Sequence, residues 1–303
     1  MAIKTIEFTM AQYADKRKKK VDIWTPKGYD KNDKTKRYPV IYMHDGQAVF
    51  GDTLDNIWGA GFHVDATINE IVKAGDIGSI VVAIYSQPER ERELGPAWPL
   101  HTADDERMKA LMGTGLVFDP PSGDKYSKFI VETLKPYVDA HYNTLQDREN
   151  TGVGGASMGG AISFYMALAF PEVFGYAMCL SPALFLYPED ALNNELDKLD
   201  IKNFKHYPRM YLYSGGNMTG DILEGWIYKC PGFADEALIK RGWPVEDIAC
   251  VTDTTKLHNN MVWKHIVPQA YRWMRKIKPY NSDDYMNVKI ELTKRAKKKS
   301  NMA

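Results

Sequence analysis

The chain has 303 residues, 44% hydrophobic and 26% charged, with 39 Lys and Arg balanced by 39 Asp and Glu. That length is compatible with one large α/β domain or two small ones, and zero net charge gives no reason to expect nucleic acid or an anionic membrane as the main partner. No apolar run approaches the roughly 20 residues that span a bilayer. Met1-Ala2-Ile3-Lys4-Thr5-Ile6-Glu7 carries charges where a signal peptide needs an apolar core, so the expected location is cytoplasmic.

Residues 3–10 and 21–25 read as β-strands, with the run Lys16-Arg17-Lys18-Lys19-Lys20 as a solvated hairpin tip. Pro26 to Arg37 is a loop. Pro39-Val40-Ile41-Tyr42-Met43 is a short apolar run of the buried, parallel-sheet kind, ending in His44-Asp45-Gly46-Gln47. Phe62 to Lys73 has helical periodicity, and Ser79 to Tyr85 is another buried strand. From 86 to 123 the pattern dissolves into proline, glycine and charge. A structureless loop of that length in a compact domain caps or binds something. This one leaves the C-terminal end of a strand, the edge where open α/β sheets hold ligands, and reads as a substrate-side flap. Lys125 to Tyr142 is a helix that Pro136 kinks or breaks.

Next comes Gly155-Ala156-Ser157-Met158-Gly159-Gly160, between the strand-like Asn150 to Gly154 and the apolar Ala161 to Phe170. The reading is strand, sharp turn and helix, with a serine at the turn. The G-x-S-x-G spacing lets strand and helix pass closely and holds the hydroxyl clear of the sheet, at a helix N-terminus that favours developing negative charge. A glycine-rich turn of this kind can also cradle phosphate. A nucleophilic serine needs a base and an oxyanion hole besides. The loop after the third strand and the residue after the nucleophile are where that hole is built, which assigns it to the backbone N–H groups of Gln47 and Met158.

Val173 to Leu180 reads as a strand ending at Ser181-Pro182, and 183–207 as loop with a short helix from Pro188 to Leu199. Arg209 to Ser214 is a strand closed by Gly215-Gly216-Asn217. A helix at Phe233 to Arg241 and a strand at Asp247 to Thr252 lead to Lys256-Leu257-His258 and a helix from Asn259 to Lys278. Strands alternating with helices around a mostly parallel sheet give a single α/β domain over 1–280 with the flap at 86–123, and a polar, basic, flexible tail over 281–303. Ser157, then acids after the 209–214 strand, then His258 is the chain order of the triad in an α/β-hydrolase fold, which is the fold expected here. Cys179, Cys230 and Cys250 have neither metal-ligand spacing nor a disulfide framework, so no metal or cofactor is expected.

Tyr38 to Gln47, Phe129 to Val138, Gly154 to Gly160, Phe170 to Gly175, Ser181-Pro182 and His258 to Trp263 together resemble the esterase family that includes enterochelin-type siderophore esterases, feruloyl and acetyl-xylan esterases, S-formylglutathione hydrolases and mycolyltransferases. The resemblance implies a serine esterase with a Ser-His-acid triad. Two departures mark the chain. Asn260 stands where such members often carry glutamate, and Gly215-Gly216-Asn217-Met218 stands where they carry Gly-x-x-Glu. The acid is therefore assigned to Asp221, with Glu224 as the alternative and Asp253 as the candidate outside that loop. His265 lies on the helix of Trp263 and reads as structural. Asp45, Arg90, Trp98 and Trp263 are candidate substrate contacts, since an aromatic face and a guanidinium suit an aromatic or anionic acyl group.

The expected activity is hydrolysis of a carbohydrate-linked or phenolic ester. The alternatives are a siderophore lactone esterase, an acyltransferase using the same triad, and a catalytically silent hydrolase-fold binding protein. The expected partner is a small-molecule or oligosaccharide ester, with no nucleic acid and no membrane; self-association into a homo-oligomer is compatible with the sequence.

Overall fold

The computed structural model describes residues 2–52, 60–86, 88, 90–102, 105, 106, 108, 109, 120–216, 222–253 and 255–277, with side chains from Ile3 onward and omitting those of 222–224. The expected 281–303 tail lies outside them. Among the described residues, β1 (Ala2–Thr9), β2 (Lys18–Thr25), β3 (Val40–His44), β4 (Ile80–Ile84), β5 (Thr151–Ala156), β6 (Tyr176–Leu180), β7 (Arg209–Gly215) and β8 (Ile248–Asp253) form one sheet in the order 1-2-4-3-5-6-7-8. β2 runs antiparallel to both β1 and β4, and every other pair is parallel.

Parallel strands need cover on both faces, which is why β3, β4 and β6 are buried at every position. Alternate residues feed two cores. Val40 and Tyr42 pack with the helices Gly123–Phe129 and Met158–Ala169 on one face. Ile41 and Met43 pack with Val64–Lys73 and Asn260–Arg275 on the other. The chain leaves β3 towards β4 on one side and later adds β5 on the other, so a topological switch point opens at the C-terminal ends of β3 and β5, where such sheets place ligands. Among the described residues no helix is long and apolar enough to cross a membrane.

Three expectations change. Lys18–Lys20 belong to β2 rather than to a hairpin tip, and Lys19 turns inward, 3% exposed, in an ion pair with the buried Glu93 of the flap. The helix around Pro136 is continuous from Gly123 to His141 because a π turn at Ile130–Leu134 takes up the proline's missing donor and ring clash. The helix expected at Phe233 to Arg241 begins at Ile222 and carries Pro231 within it. Burial of Ile227, Ala234 and Leu238 outweighs the local proline penalty.

Candidate active site

β5 ends at Ala156, and Ser157 turns the chain into Met158–Ala169 with φ 55 and ψ −118. A non-glycine residue in that region persists only when its surroundings over-determine it. Here Ser157 N–H donates to Leu180 O at 2.8 Å, and its carbonyl accepts from Ala161 N–H and Ala183 N–H, each at 3.0 Å. Strand and helix meet where a Cβ on Gly155 would lie 2.9 Å from Gly159 Cα, so only glycine fits there.

At the end of β3 the chain turns through Asp45 into the short 3-10 helix Gly46–Ala48. Arg90 grips the Asp45 carboxylate with Nε to Oδ1 at 2.7 Å and Nη2 to Oδ2 at 2.8 Å, and Ser86 Oγ donates to Oδ1 as well. Burial alone would raise that carboxyl; the charge of Arg90 and the bonds from Arg90 and Ser86 outweigh it and hold it below the ordinary aspartate value. Gln47 lies mid-turn, its Nε2 donating to Ser86 Oγ at 3.1 Å. Met158 is the first residue of the elbow helix, whose opening N–H groups have no intrahelical acceptor.

His258 follows β8 and precedes the helix Asn260–Arg275, which Asn259 caps by accepting from Val262 N–H at 3.1 Å. Its ring stands edge-on to Trp263 at 4.8 Å, and Trp263 is pinned by an Nε1 bond to Ser181 Oγ at 3.0 Å. Asn260 Nδ2 donates to Ala60 O, which fixes the segment carrying Phe62. The loop before His258 rests on the end of β7: a Cβ on Gly215 would lie 2.8 Å from Lys256 O and 3.0 Å from Leu257 O.

Ser157 and His258 line a common cavity of about 210 Å³, together with Asp45, Arg90, Phe62 and Trp263. Ala156, Asn259 and Asn260 complete its wall. Burial, and then the positive charge of Arg90, lower the His258 imidazole from 6.5 to about 4. Its Nδ1 is buried and has no hydrogen-bond partner among the described residues. Asp221 and the side chain of Glu224, the two carboxylates expected there, lie outside the described residues. Asp253 Oδ1 instead accepts from Thr255 N–H at 2.9 Å and Thr255 Oγ at 2.6 Å.

Trp98, expected at the substrate, does not line the cavity. It is 7% exposed and packs edge-on against Phe164, Tyr165 and Tyr187, where burial of a large ring contributes more than a solvent-facing contact would. Phe62 and Asn260 were not expected in the wall; the sequence signal for Asn260 was its place next to the His258-Asn259 pair, and Phe62 carried none. Among the described residues no three His, Cys, Asp or Glu side chains converge as a metal would require.

A model of the esterase family matches residues 13–276. The chain belongs to the esterase family. Membership places it among carboxylic ester hydrolases, on the fold that the sheet order describes. An endo-1,4-beta-xylanase/feruloyl esterase of Xylanibacter ruminicola is 22% identical over 225 residues, 73% of this chain, and the match spans 26% of that relative's length. Among solved structures, the siderophore hydrolase EstA from Aspergillus nidulans superposes with a TM-score of 0.68 at 14% identity, covering 91% of this esterase and 95% of EstA. A ferulic acid esterase does so with 0.60 at 15% identity, covering 91% and 99%. At such identities these likenesses show the fold.

Proposed function

We propose that this esterase is a serine hydrolase acting through an acyl-enzyme on a carbohydrate-linked or phenolic ester. The observation that carries the reading is Ser157, held in a strained elbow conformation, lining one cavity with a neutral His258. His258 takes the proton of Ser157 Oγ as the oxygen attacks the ester carbonyl. The oxyanion is received by the Gln47 and Met158 amides. The C–O bond to the alcohol then breaks as His258 returns the proton to the leaving oxygen, and water repeats the sequence to release the acid. Asp221 from the loop after β7, or in its place Glu224 from the first turn of the helix that begins at Ile222, orients the imidazole. Support for that origin comes from the contact of Gly215, at the end of β7, with the His258 loop.

The cavity suits a small acyl group. An apolar cavity of about 150 Å³ accepts benzene, so about 210 Å³ that opens to solvent, with Phe62 and Trp263 in its wall, has room for one aromatic ring or an acetyl group. The siderophore-lactone alternative draws on the fold of EstA and would leave most of a bulky lactone outside this cavity. Turnover of methyl ferulate, an acetylated xylo-oligosaccharide and a catecholate trilactone, with and without methanol as acceptor, separates the substrate classes and hydrolysis from acyl transfer. Ser157→Ala is expected to fold normally and lose on the order of 10⁴ to 10⁶ in rate. No labelling of the wild type by a fluorophosphonate, and no turnover of any ester, would leave the silent binding protein as the reading.

A further inference from the structure

An ion pair in the wall of an esterase cavity invites assignment to the substrate, but the bonding of Asp45 and Arg90 points inward. Both Asp45 carboxylate oxygens are taken, Oδ1 by Arg90 Nε and Ser86 Oγ, Oδ2 by Arg90 Nη2. The remaining Arg90 nitrogen, Nη1, lies 3.6 Å from Glu91 Oε1. Ser86 Oγ accepts from Gln47 Nε2, so the two residues flanking Gly46 are both tied to the start of the flap. Asp45 and Ser86 are 2% and 0% exposed. Asp45 has φ 55 and ψ 55, a left-handed conformation that a non-glycine side chain keeps only under restraint. Gly46 completes the clamp, since a Cβ there would lie 2.7 Å from the Tyr85 ring.

We propose that Asp45, Arg90 and Ser86 are positioning residues that lock the Asp45–Gln47 turn in its left-handed form and so aim the Gln47 N–H at the developing oxyanion. This rests on the esterase reading above. Charge gives the pair a second task. A bare carboxylate beside an oxyanion would repel it in a site of low dielectric, and the Arg90 fork cancels that charge while fixing geometry, which a lysine's point charge does not. On this account Arg90 is not a receptor for an anionic acyl group.

The test uses the full-length chain, p-nitrophenyl acetate, and a boronic acid that forms a tetrahedral anionic adduct with Ser157. Arg90→Met is expected to lower kcat by roughly a hundredfold, the scale of a lost oxyanion donor, and Ser86→Ala by about tenfold. KM should stay within about threefold of the wild type, because ground-state binding is untouched. The boronate inhibition constant should rise in step with the loss in kcat, a readout that a purely structural role would not move. Arg90→Lys should fall between Arg90→Met and the wild type. Because Arg90→Met strands a buried carboxylate, Asp45→Asn/Arg90→Met and Ser86→Ala are the variants to read if it does not fold. Folded variants with kcat and boronate affinity within about threefold of the wild type overturn the proposal, and so does a raised KM at unchanged kcat, which would make Arg90 a substrate contact. A wild type that hydrolyses no ester fails one step earlier, at the esterase reading itself, and takes this proposal with it.

Discussion

The His258 imidazole sits at about 4 because burial, and then Arg90, oppose its charged form, with no partner on Nδ1 among the described residues. A carboxylate brought to Nδ1 stabilises the imidazolium and raises that value. The acid limb of kcat/KM, where the base becomes protonated and activity falls with falling pH, therefore distinguishes a dyad from a triad. The proposed triad places the wild-type limb above 4. Asp221→Asn should lower the rate by roughly 10⁴, through loss of the correct tautomer, and move the residual limb down towards 4, while Glu224→Gln leaves both in place. A wild-type limb already near 4 with an active Asp221→Asn would reject the carboxylate. At this scale the placement of Ser157 at the strand-to-helix turn and of His258 in the loop after β8, on one cavity, was legible because each sits in a local motif whose spacing has a mechanical cause. The acid was not, since Gly215-Gly216-Asn217-Met218 puts no carboxylate where the strand ends. The inward packing of Trp98 was not legible, because an aromatic ring in an irregular loop reads the same whether it packs inward or meets a ligand.

Strands and helices were legible wherever period and length agreed, as at β3, β4, β7 and the elbow helix. Pairings across the chain were not. Lys19 alternates inward between Lys18 and Lys20, as a strand residue must, but the Glu93 that makes its burial tolerable comes from the flap. Asn260 likewise fixes the Phe62 segment by bonding to Ala60, 200 positions away. The contact between β7 and the His258 loop is of this kind and can be tested. Gly215→Ala puts a methyl group 2.8 Å from Lys256 O, so the loop must retreat and carry His258 with it. A misplacement of about 1 Å can cost roughly a hundredfold in rate. The variant should lose that much in kcat, with a destabilisation of only about 1 kcal/mol, typical of a single substitution. Thermal melting and steady-state kinetics on one preparation check this; a loss in kcat below about threefold would mean that the loop does not depend on the contact.

The switch point at β3 and β5 places another titratable group in the middle of the molecule, directly behind the site and next to Asp45. His44 ends β3, fully buried, with Nδ1 2.8 Å from Tyr126 Oη on the Gly123–Phe129 helix and Cβ 3.2 Å from the Cβ that Gly159 would carry. Burial lowers its imidazole from 6.5 to about 3, only partly offset by Asp45. The folded protein keeps His44 neutral while the unfolded chain takes up a proton near 6.5. Below that pH the unfolded state binds more protons, and stability falls progressively as pH drops from 6.5 towards 3. Two units below 6.5 the loss is on the order of 3 kcal/mol. Asp45, held below the ordinary carboxyl value, adds its own loss only at the acid end of that window. Melting temperature should therefore drop by several degrees between about pH 7 and pH 4.5 in the wild type. His258, lowered from 6.5 to about 4 by burial and then Arg90, contributes a loss of the same sign over this interval. His44→Gln, which keeps a polar group near Tyr126 but cannot titrate, should start lower at pH 7 and then show a shallower drop than the wild type rather than none. Parallel curves for the two proteins would mean that His44 is hydrated or charged in the folded state, and that the acid sensitivity of this fold lies elsewhere.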